Sequence, residues 1–527
     1  FDPLYFVLLF PYGDDGWYDQ LCQAPARTVE SEASLAMRYE NSRRITVMQY
    51  YAHRMHWRRG ERYDGGRCVL MGGRLLQEYA CTALARHEQN SLQWIRNNQS
   101  RLRTERYCNL RGAVQQAAAV GGPVQRCGQP VRLPASFTGS PRSMQQRYMD
   151  GMAIVRETAK PCLFVTMTCN PKWPEILQSL PYGSRAEDHP EIVARVFNLK
   201  LKALMNDLTE CHVLGRTIAH MMVVEFQFRG LPHAHILLIM ASADRLLSAD
   251  AADSVVSAEL PARGVNDVLR EKVLEHMLHN DCTVNSECRC RQNGACKWKF
   301  PKDYQAFTVW SDDRLYPTMR RRRGVQFEER RPNGRHVNNR WIATYNPALL
   351  LKYDCHINVE VCSHIEAVKY LYKYIYKGPD RASVRAHGSW NQDEAAVYED
   401  MRYFGAAEAC WRLFQFKLFD TKPPVQALDV HLDGQMEVHY IEGNEAAVGS
   451  SDPPRTKLGS WLDYCAAPIE TSRRRLPSNW HSLTYVQFPG YFQYSREAGW
   501  RPNDAQCSAR QQRYRKIGRL PPINIRN

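Results

Sequence analysis

The chain has 527 residues, 44% of them hydrophobic, which is ample to bury the cores of two or three globular domains. Lys and Arg exceed Asp and Glu by 70 to 55, and the resulting net charge of +15 points towards a polyanionic partner. No apolar run approaches the roughly 18 residues a membrane helix needs, and 17 cysteines, an odd number without a secretory leader, fit reduced thiols and a metal cluster better than a disulfide scaffold.

In chain order, residues 1–121 read as mainly helical. Leu76, Tyr79 and Ala83, then Leu92, Ile95 and Leu102, recur at helical spacing, interleaved with Arg74, Arg86, Arg96, Arg101 and Arg103. That basic face either rests on a phosphate backbone or is a solvated surface. The Ala/Gly/Gln-rich stretch from Ala113 to Pro134 is the best candidate linker. A new helix starts with Ser140 as N-cap and Pro141 at its first position, and leads into Leu163 to Thr168, an apolar β-rich run suited to a buried strand. The mouth of that strand is Cys169-Asn170-Pro171-Lys172-Trp173. Here Asn170 can hydrogen-bond a base and Lys172 a phosphate, while Trp173 either stacks on an unpaired base or plugs the loop.

Glu191 to Leu208 is a second amphipathic helix, and a hairpin follows it. In the extended stretch Gly230 to Leu238, His233 and His235 share one face while Ala234, Ile236 and Leu238 turn to the other. The run Val223 to Gln227 is the expected antiparallel partner, bringing Glu225 or Gln227 near the imidazoles as a third, oxygen ligand; strand parity does not choose between them. Two half-buried structural histidines are the alternative.

An insertion near 276–302 carries His279, Cys282, Cys290 and Cys296, with Cys288 as an extra sulfur. One imidazole and three thiolates at short spacings can close a tetrahedral zinc site, although the spacing is not that of a standard finger. Arg320, Arg321, Arg322 and Arg323, followed by Arg330, Arg331, Arg335 and Arg340, are placed to hold DNA phosphates unless they are merely solvated. Trp341 to Tyr345, Leu349 to Tyr353 and His356 to Val361 are expected to return to the sheet, with His356 a structural strand residue.

Ser363 and Glu366 then fit a capping box, and Ile365, Val368, Leu371 and Ile375 recur at helical spacing up to Gly378 and Pro379. On that helix Tyr370 and Tyr374 share a face with Lys373 and Lys377 beside them, which offers phenol nucleophiles and cations for phosphate. The same tyrosines could equally be amphipathic core filler. Beyond it, Ala406 to Phe416 reads as a helix and Leu428 to Tyr440 as a hairpin turning at Asp433-Gly434. No Gly-x4-Gly-Lys-Ser/Thr phosphate loop occurs anywhere in the chain.

His-hydrophobic-His followed by Tyr-x-x-Lys-Tyr-x-x-Lys resembles the replication-initiator nuclease of Helitron rolling-circle transposons, a two-tyrosine member of the HUH endonucleases. Phe164 to Ile176 is similar to that family's first motif and Glu225 to His235 to its second, and the resemblance runs from Leu9-Phe10-Pro11-Tyr12-Gly13 to Ile517-Gly518-Arg519. It implies an α+β fold, an antiparallel sheet flanked by helices (HUH nuclease-like), with a helical N-terminal DNA-binding domain over 1–121, the nuclease over 135–380 and a C-terminal accessory domain over 381–527. It also implies single-stranded DNA nicking and strand joining with Mg2+ or Mn2+ on His233, His235 and a third ligand, attack by Tyr370 or Tyr374, and Lys373 assisting. The partners implied are transposon ends, a helicase elsewhere in the full-length protein and no membrane, in the nucleus. Because the chain opens at Phe1 inside such a segment, a fragment or decayed copy is expected. The rival readings are an inactive or repurposed DNA-binding remnant and a phosphoesterase that uses activated water.

Overall fold

The computed structural model describes residues 1–23, 44–57, 65–99, 102–120, 129–130, 133, 137–226, 230–279, 281–283, 288, 290–310, 317–331, 334–362, 398, 403–432, 434–441, 443–466, 482–502 and 515–521. Its centre is a five-stranded sheet built from β1 (Leu163–Thr168), β2 (Thr217–Phe226), β3 (Pro232–Met240), β4 (Ile357–Val361) and β5 (Phe419–Lys422). Their order is β4-β1-β3-β2-β5, and every neighbouring pair is antiparallel. The expectation of mixed α and β structure around an antiparallel sheet agrees with this arrangement.

Helices among the described residues include α1 (Arg74–Gln99), α2 (Pro141–Glu157), α3 (Pro190–Thr209), α4 (Asp267–His276), α5 (Pro347–Tyr353) and α6 (Ala406–Leu413). Period-2 alternation decides which helix covers which face. Val165, Met167, Met222, Val224, Ala234, Ile236 and Leu238 pack with Phe197, Leu201 and Leu204 of α3 and Trp411 of α6. Phe164, Met221, Val223 and Leu237 turn the other way, towards Ile154 and Val155 of α2. Each such fully buried aliphatic side chain contributes roughly 1.5–3 kcal/mol, so both faces are strongly held. Ser140 caps α2 as expected, its hydroxyl accepting from the Ser143 N–H.

One hydrophobic cluster continues from Phe6, Tyr51 and Tyr79 through the sheet to Trp411, so segments from all three expected domains share a core. The strand Leu102–Arg106 also pairs with Glu437–Ile441, in register from Leu102↔Ile441 to Arg106↔Glu437. This corrects the expected hairpin over Leu428 to Tyr440, whose second half finds its partner far away in sequence. Three further expectations change. Among the described residues, Trp341 to Tyr345 joins no strand of the sheet and makes the isolated bridges Leu278↔Ile342 and Ser257↔Tyr345. Leu349 to Tyr353 is helical, because Asn346 caps α5 by accepting from the Leu349 N–H and Pro347 occupies its first turn. The expected linker begins as helix, since Tyr107–Val120 is one α-helix.

Candidate functional site

The hairpin β2–β3 carries the two histidines. Gly230 sits in its turn with φ of +78°, a left-handed conformation that a side chain would strain. Register then builds two rows across the sheet. His233 lies between Thr168 and Glu225, and His235 between Thr166 and Val223, with Asn358 continuing the second row beyond Thr166. His235 Nε2 stands 3.2 Å from Glu225 Oε2. Its Nδ1 is 3.1 Å from Thr166 Oγ1, and His233 Nδ1 is 2.9 Å from Thr168 Oγ1. Phe164 stacks on the His235 ring at 5.8 Å and 8°.

These contacts have a chemical consequence. An imidazole whose Nδ1–H donates to a hydroxyl keeps its lone pair on Nε2, the atom a cation would use, and its ring cannot swing. With a cation on Nε2, each ring would donate from Nδ1–H to its threonine hydroxyl; without one, the contact to Glu225 needs the proton on His235 Nε2, and the Thr166 hydroxyl then donates to Nδ1. The donor set of two imidazoles and a carboxylate fits a divalent ion whose remaining positions are filled by water or a phosphate oxygen. The hairpin brings His233, His235 and Glu225, one of the two candidate oxygen ligands, together, and β1 adds Thr166 and Thr168, which the sequence did not single out. The only sequence trace of them is the Thr-x-Thr period of β1, which does not by itself say that β1 lies beside β3. Gln227, the other candidate ligand, lies outside the described residues, as do Tyr370, Lys373, Tyr374 and Lys377.

Of the two readings of Trp173 the structure shows the loop plug, and Asn170 is likewise engaged within the protein. Asn170 Nδ2 donates to the Asp354 carbonyl at 2.8 Å, and its Oδ1 accepts from the Lys172 N–H at 2.9 Å. Trp173 is 1% exposed, and its indole N–H donates to the Tyr353 carbonyl at 2.7 Å. Both side chains clasp the end of α5, where Asp354 has a φ of +46°. The base-stacking role for Trp173 and the base-bonding role for Asn170 are therefore corrected, because one has no open ring face and the other has committed its amide. Lys172 stays on the surface, 3.9 Å from Glu275.

The arginine run is corrected in part. Arg321 is 5% exposed and donates from Nη1 to the carbonyls of Ala258 at 3.2 Å, Ile342 at 2.6 Å and Asn339. Burial brings its pKa down to about 10. Arg322 grips both oxygens of Glu259 at 2.7 to 3.1 Å, and Arg320 approaches Asp253 at 3.5 Å and Glu259 at 3.4 Å. These three guanidinium groups tie residues 320–322 to the segments around Asp253 to Glu259 and Asn339 to Ile342. Arg323 is exposed, lying 5.9 Å from the Tyr304 ring centroid.

The cysteine group does gather. The ligand atoms of His279, Cys282, Cys290 and Cys296 all lie within 4.8 Å of one another. A tight hairpin explains how. Asn293 and Gly294 take φ of +52° and +79°, the paired positive values of a type I′ turn, so Arg291–Gln292 pairs with Ala295–Cys296 and the flanking cysteines meet. Arg291 donates to the Cys282 carbonyl at 2.7 Å, and Arg335 to the His279 carbonyl at 2.7 Å. Burial, reinforced by the sulfurs of Cys290 and Cys296, pushes the Cys282 thiol up to about 12. Burial also opposes ionisation of Cys296, but the N–H groups of Phe300 and Trp298 and its hydrogen bonds with Cys282 and Cys290 outweigh it and hold that thiol below its ordinary value. Three sulfurs and an imidazole in this geometry match a closed metal site. A second gathering, Glu275, His276 and Asp354, is already occupied by a cation, since Lys272 Nζ sits 2.6 Å from Asp354 Oδ1.

Comparison with known proteins places part of the chain. Residues 50–238 match the family model described as the Helitron helicase-like domain at the N-terminus, in agreement with the resemblance read from the motifs. The match includes Asn170, Trp173, Glu225, His233 and His235 and ends before the cysteine group and the tyrosine stretch. No curated protein matches the chain. Among the described residues no helix is long and apolar enough to cross a membrane.

Proposed function

We propose that this Helitron-related chain is a metal-dependent nuclease that nicks single-stranded DNA at transposon ends and rejoins it through a tyrosine-linked intermediate. The observation that supports this best is the pair of hydroxyl-anchored imidazoles beside Glu225. Mg2+ or Mn2+ held there by His233, His235 and Glu225, or Gln227 in its place, would polarise the scissile phosphate and offset charge that develops on it. Tyr370 or Tyr374 attacks phosphorus in line. The bond to the 3′ oxygen breaks, that oxygen leaves as a hydroxyl after taking up a proton, and the 5′ phosphate remains esterified to the phenol. Because the ester is conserved, the hydroxyl can attack the phosphotyrosine later and restore a DNA linkage. Lys373 assists phenolate formation and Lys377 contacts phosphate. A helicase elsewhere in a full-length protein would supply the single strand, in the nucleus of the host.

The test uses labelled single-stranded oligonucleotides with Mn2+, resolved on a denaturing gel. Cleavage accompanied by a protein-sized labelled adduct is expected. Cleavage without an adduct makes the chain a phosphoesterase that uses water, and binding without cleavage makes it a repurposed remnant.

We also propose that His279, Cys282, Cys290 and Cys296 hold a structural Zn2+. Purified protein is expected to contain about one zinc per chain, released by strong chelators only with local unfolding, because structural zinc supplies folding energy. Metal analysis finding no zinc, with all four ligand positions open to alkylation in the native protein, removes this assignment and leaves the nuclease reading standing.

A further inference from the structure

We infer that the cysteine module carries a stacking platform for a base of single-stranded DNA at Trp298, with the ammonium groups of Lys297 and Lys299 taking the adjoining phosphates. Trp298 and Phe300 are alternate aromatics in one short run, yet they part company. Phe300 is half-buried, stacked on the His279 ring at 4.2 Å and 12°, whereas Trp298 is 49% exposed. Lys299 between them adopts φ of +59°, the local twist that turns one ring inward and the other out.

The exposed ring is nevertheless fixed. Its backbone N–H is aimed at the Cys296 sulfur, and its indole meets His279 edge to face at 5.8 Å. An aromatic side chain anchored on a rigid module and left half in water loses little freedom when a base stacks on it. Trp173 and Trp411, buried at 1% and 0%, offer no such surface.

Charge selects the partner. Residues 288–302 contain Arg289, Arg291, Lys297, Lys299 and Lys302 and no Asp or Glu. Lys297 Nζ lies 4.2 Å from the Trp298 ring centroid, and both lysines are exposed. Glu287 and Asp303 border this run in the sequence, and Asp281, further back, faces Arg335 at 3.8 Å. An aromatic ring between two exposed ammonium groups fits a base and its flanking phosphates, whereas a duplex keeps its bases stacked on one another and out of reach.

The inference rests on the nuclease reading only in taking DNA as the strand, and it is tested without cleavage. Fluorescence anisotropy of a labelled thymidine oligonucleotide is followed in buffer with no added Mg2+ or Mn2+. Trp298→Ala is expected to weaken single-strand binding roughly tenfold, Trp298→Phe to keep most of it, and duplex binding to change little. Changing Lys297 and Lys299 to alanine should flatten the salt dependence of binding. Zinc content measured on each variant separates loss of the module from loss of the ring. Photocrosslinking of wild-type protein to an iodouridine-containing strand, mapped by peptide analysis, is expected to mark Trp298. Unchanged affinity in zinc-replete Trp298→Ala, an equal loss on duplex and single strand, or a crosslink map that omits Trp298 overturns the proposal. Nicking that persists beside any of those results leaves the nuclease reading untouched.

Discussion

Replacing His233 and His235 together by alanine is expected to lower the single-turnover cleavage rate by three orders of magnitude or more while leaving a folded protein. A divalent ion at a phosphoryl centre contributes several kcal/mol of transition-state stabilisation, and each 1.36 kcal/mol is about tenfold in rate. The fold should survive because the residues on the opposite face of β3, Ala234, Ile236 and Leu238, carry the packing against α3 and are unaltered. What the double variant loses structurally is the pair of threonine contacts and the Phe164 stack on His235. Thermal melting monitored by circular dichroism checks the fold, and labelled-strand cleavage checks the chemistry. Thr166→Val and Thr168→Val sharpen the test. If the hydroxyls only orient the rings, these variants need roughly ten- to a hundredfold more Mn2+ and recover most of the rate when saturated. Full activity in a folded His233→Ala, His235→Ala protein would sink the metal assignment.

The covalent adduct is expected to vanish when Tyr370 and Tyr374 both become phenylalanine. Phenylalanine keeps the ring and removes only the hydroxyl, so a lost adduct reports on the nucleophile rather than on packing. Either single change should leave some adduct, since one phenol remains. On a helix Tyr372 lies about 200° from Tyr370 at roughly 100° per residue, so changing Tyr372 and Tyr376 to phenylalanine should leave the adduct intact. Peptide mapping of the labelled adduct decides it, and a label on Tyr372 or Tyr376 overturns the helical register.

Some of this architecture is legible in the residues alone. The alternation of β3 announces which side chains share a face, and antiparallel pairing across a short turn brings Glu225 or Gln227 opposite them, without choosing between the two. The order of strands is another matter. Nothing local in β1 says that it lies beside β3, so Thr166 and Thr168 read as ordinary β-formers until the sheet is assembled. The roles of Trp173 and Asn170 are undecided in the sequence for a related cause. Their partners are carbonyls at the end of α5, nearly two hundred residues away by sequence separation (180 for Trp173 and 184 for Asn170), and a polar or aromatic residue in a loop gives no sign of such a clasp. The arginine run shows the same limit for charge. Solvated and buried guanidinium groups look alike in sequence, and only Glu259, Asp253 and three backbone carbonyls distinguish them. The cysteine group was more readable because its ligands come from a short stretch closed by an Asn-Gly turn, where chain connectivity does most of the gathering.

The strand order β4-β1-β3-β2-β5 also bears on where such a segment can be cut. The stretch recognised as Helitron-like contributes the three middle strands, while both borders of the sheet come from outside it. A bare three-stranded piece would present two open rows of backbone donors and acceptors, which invite self-association. A piece cut at the bounds of the matched stretch would therefore leave the outer backbone groups of β1 and β2 without the partners that β4 and β5 supply here, and would hold the histidine hairpin in a sheet two strands narrower.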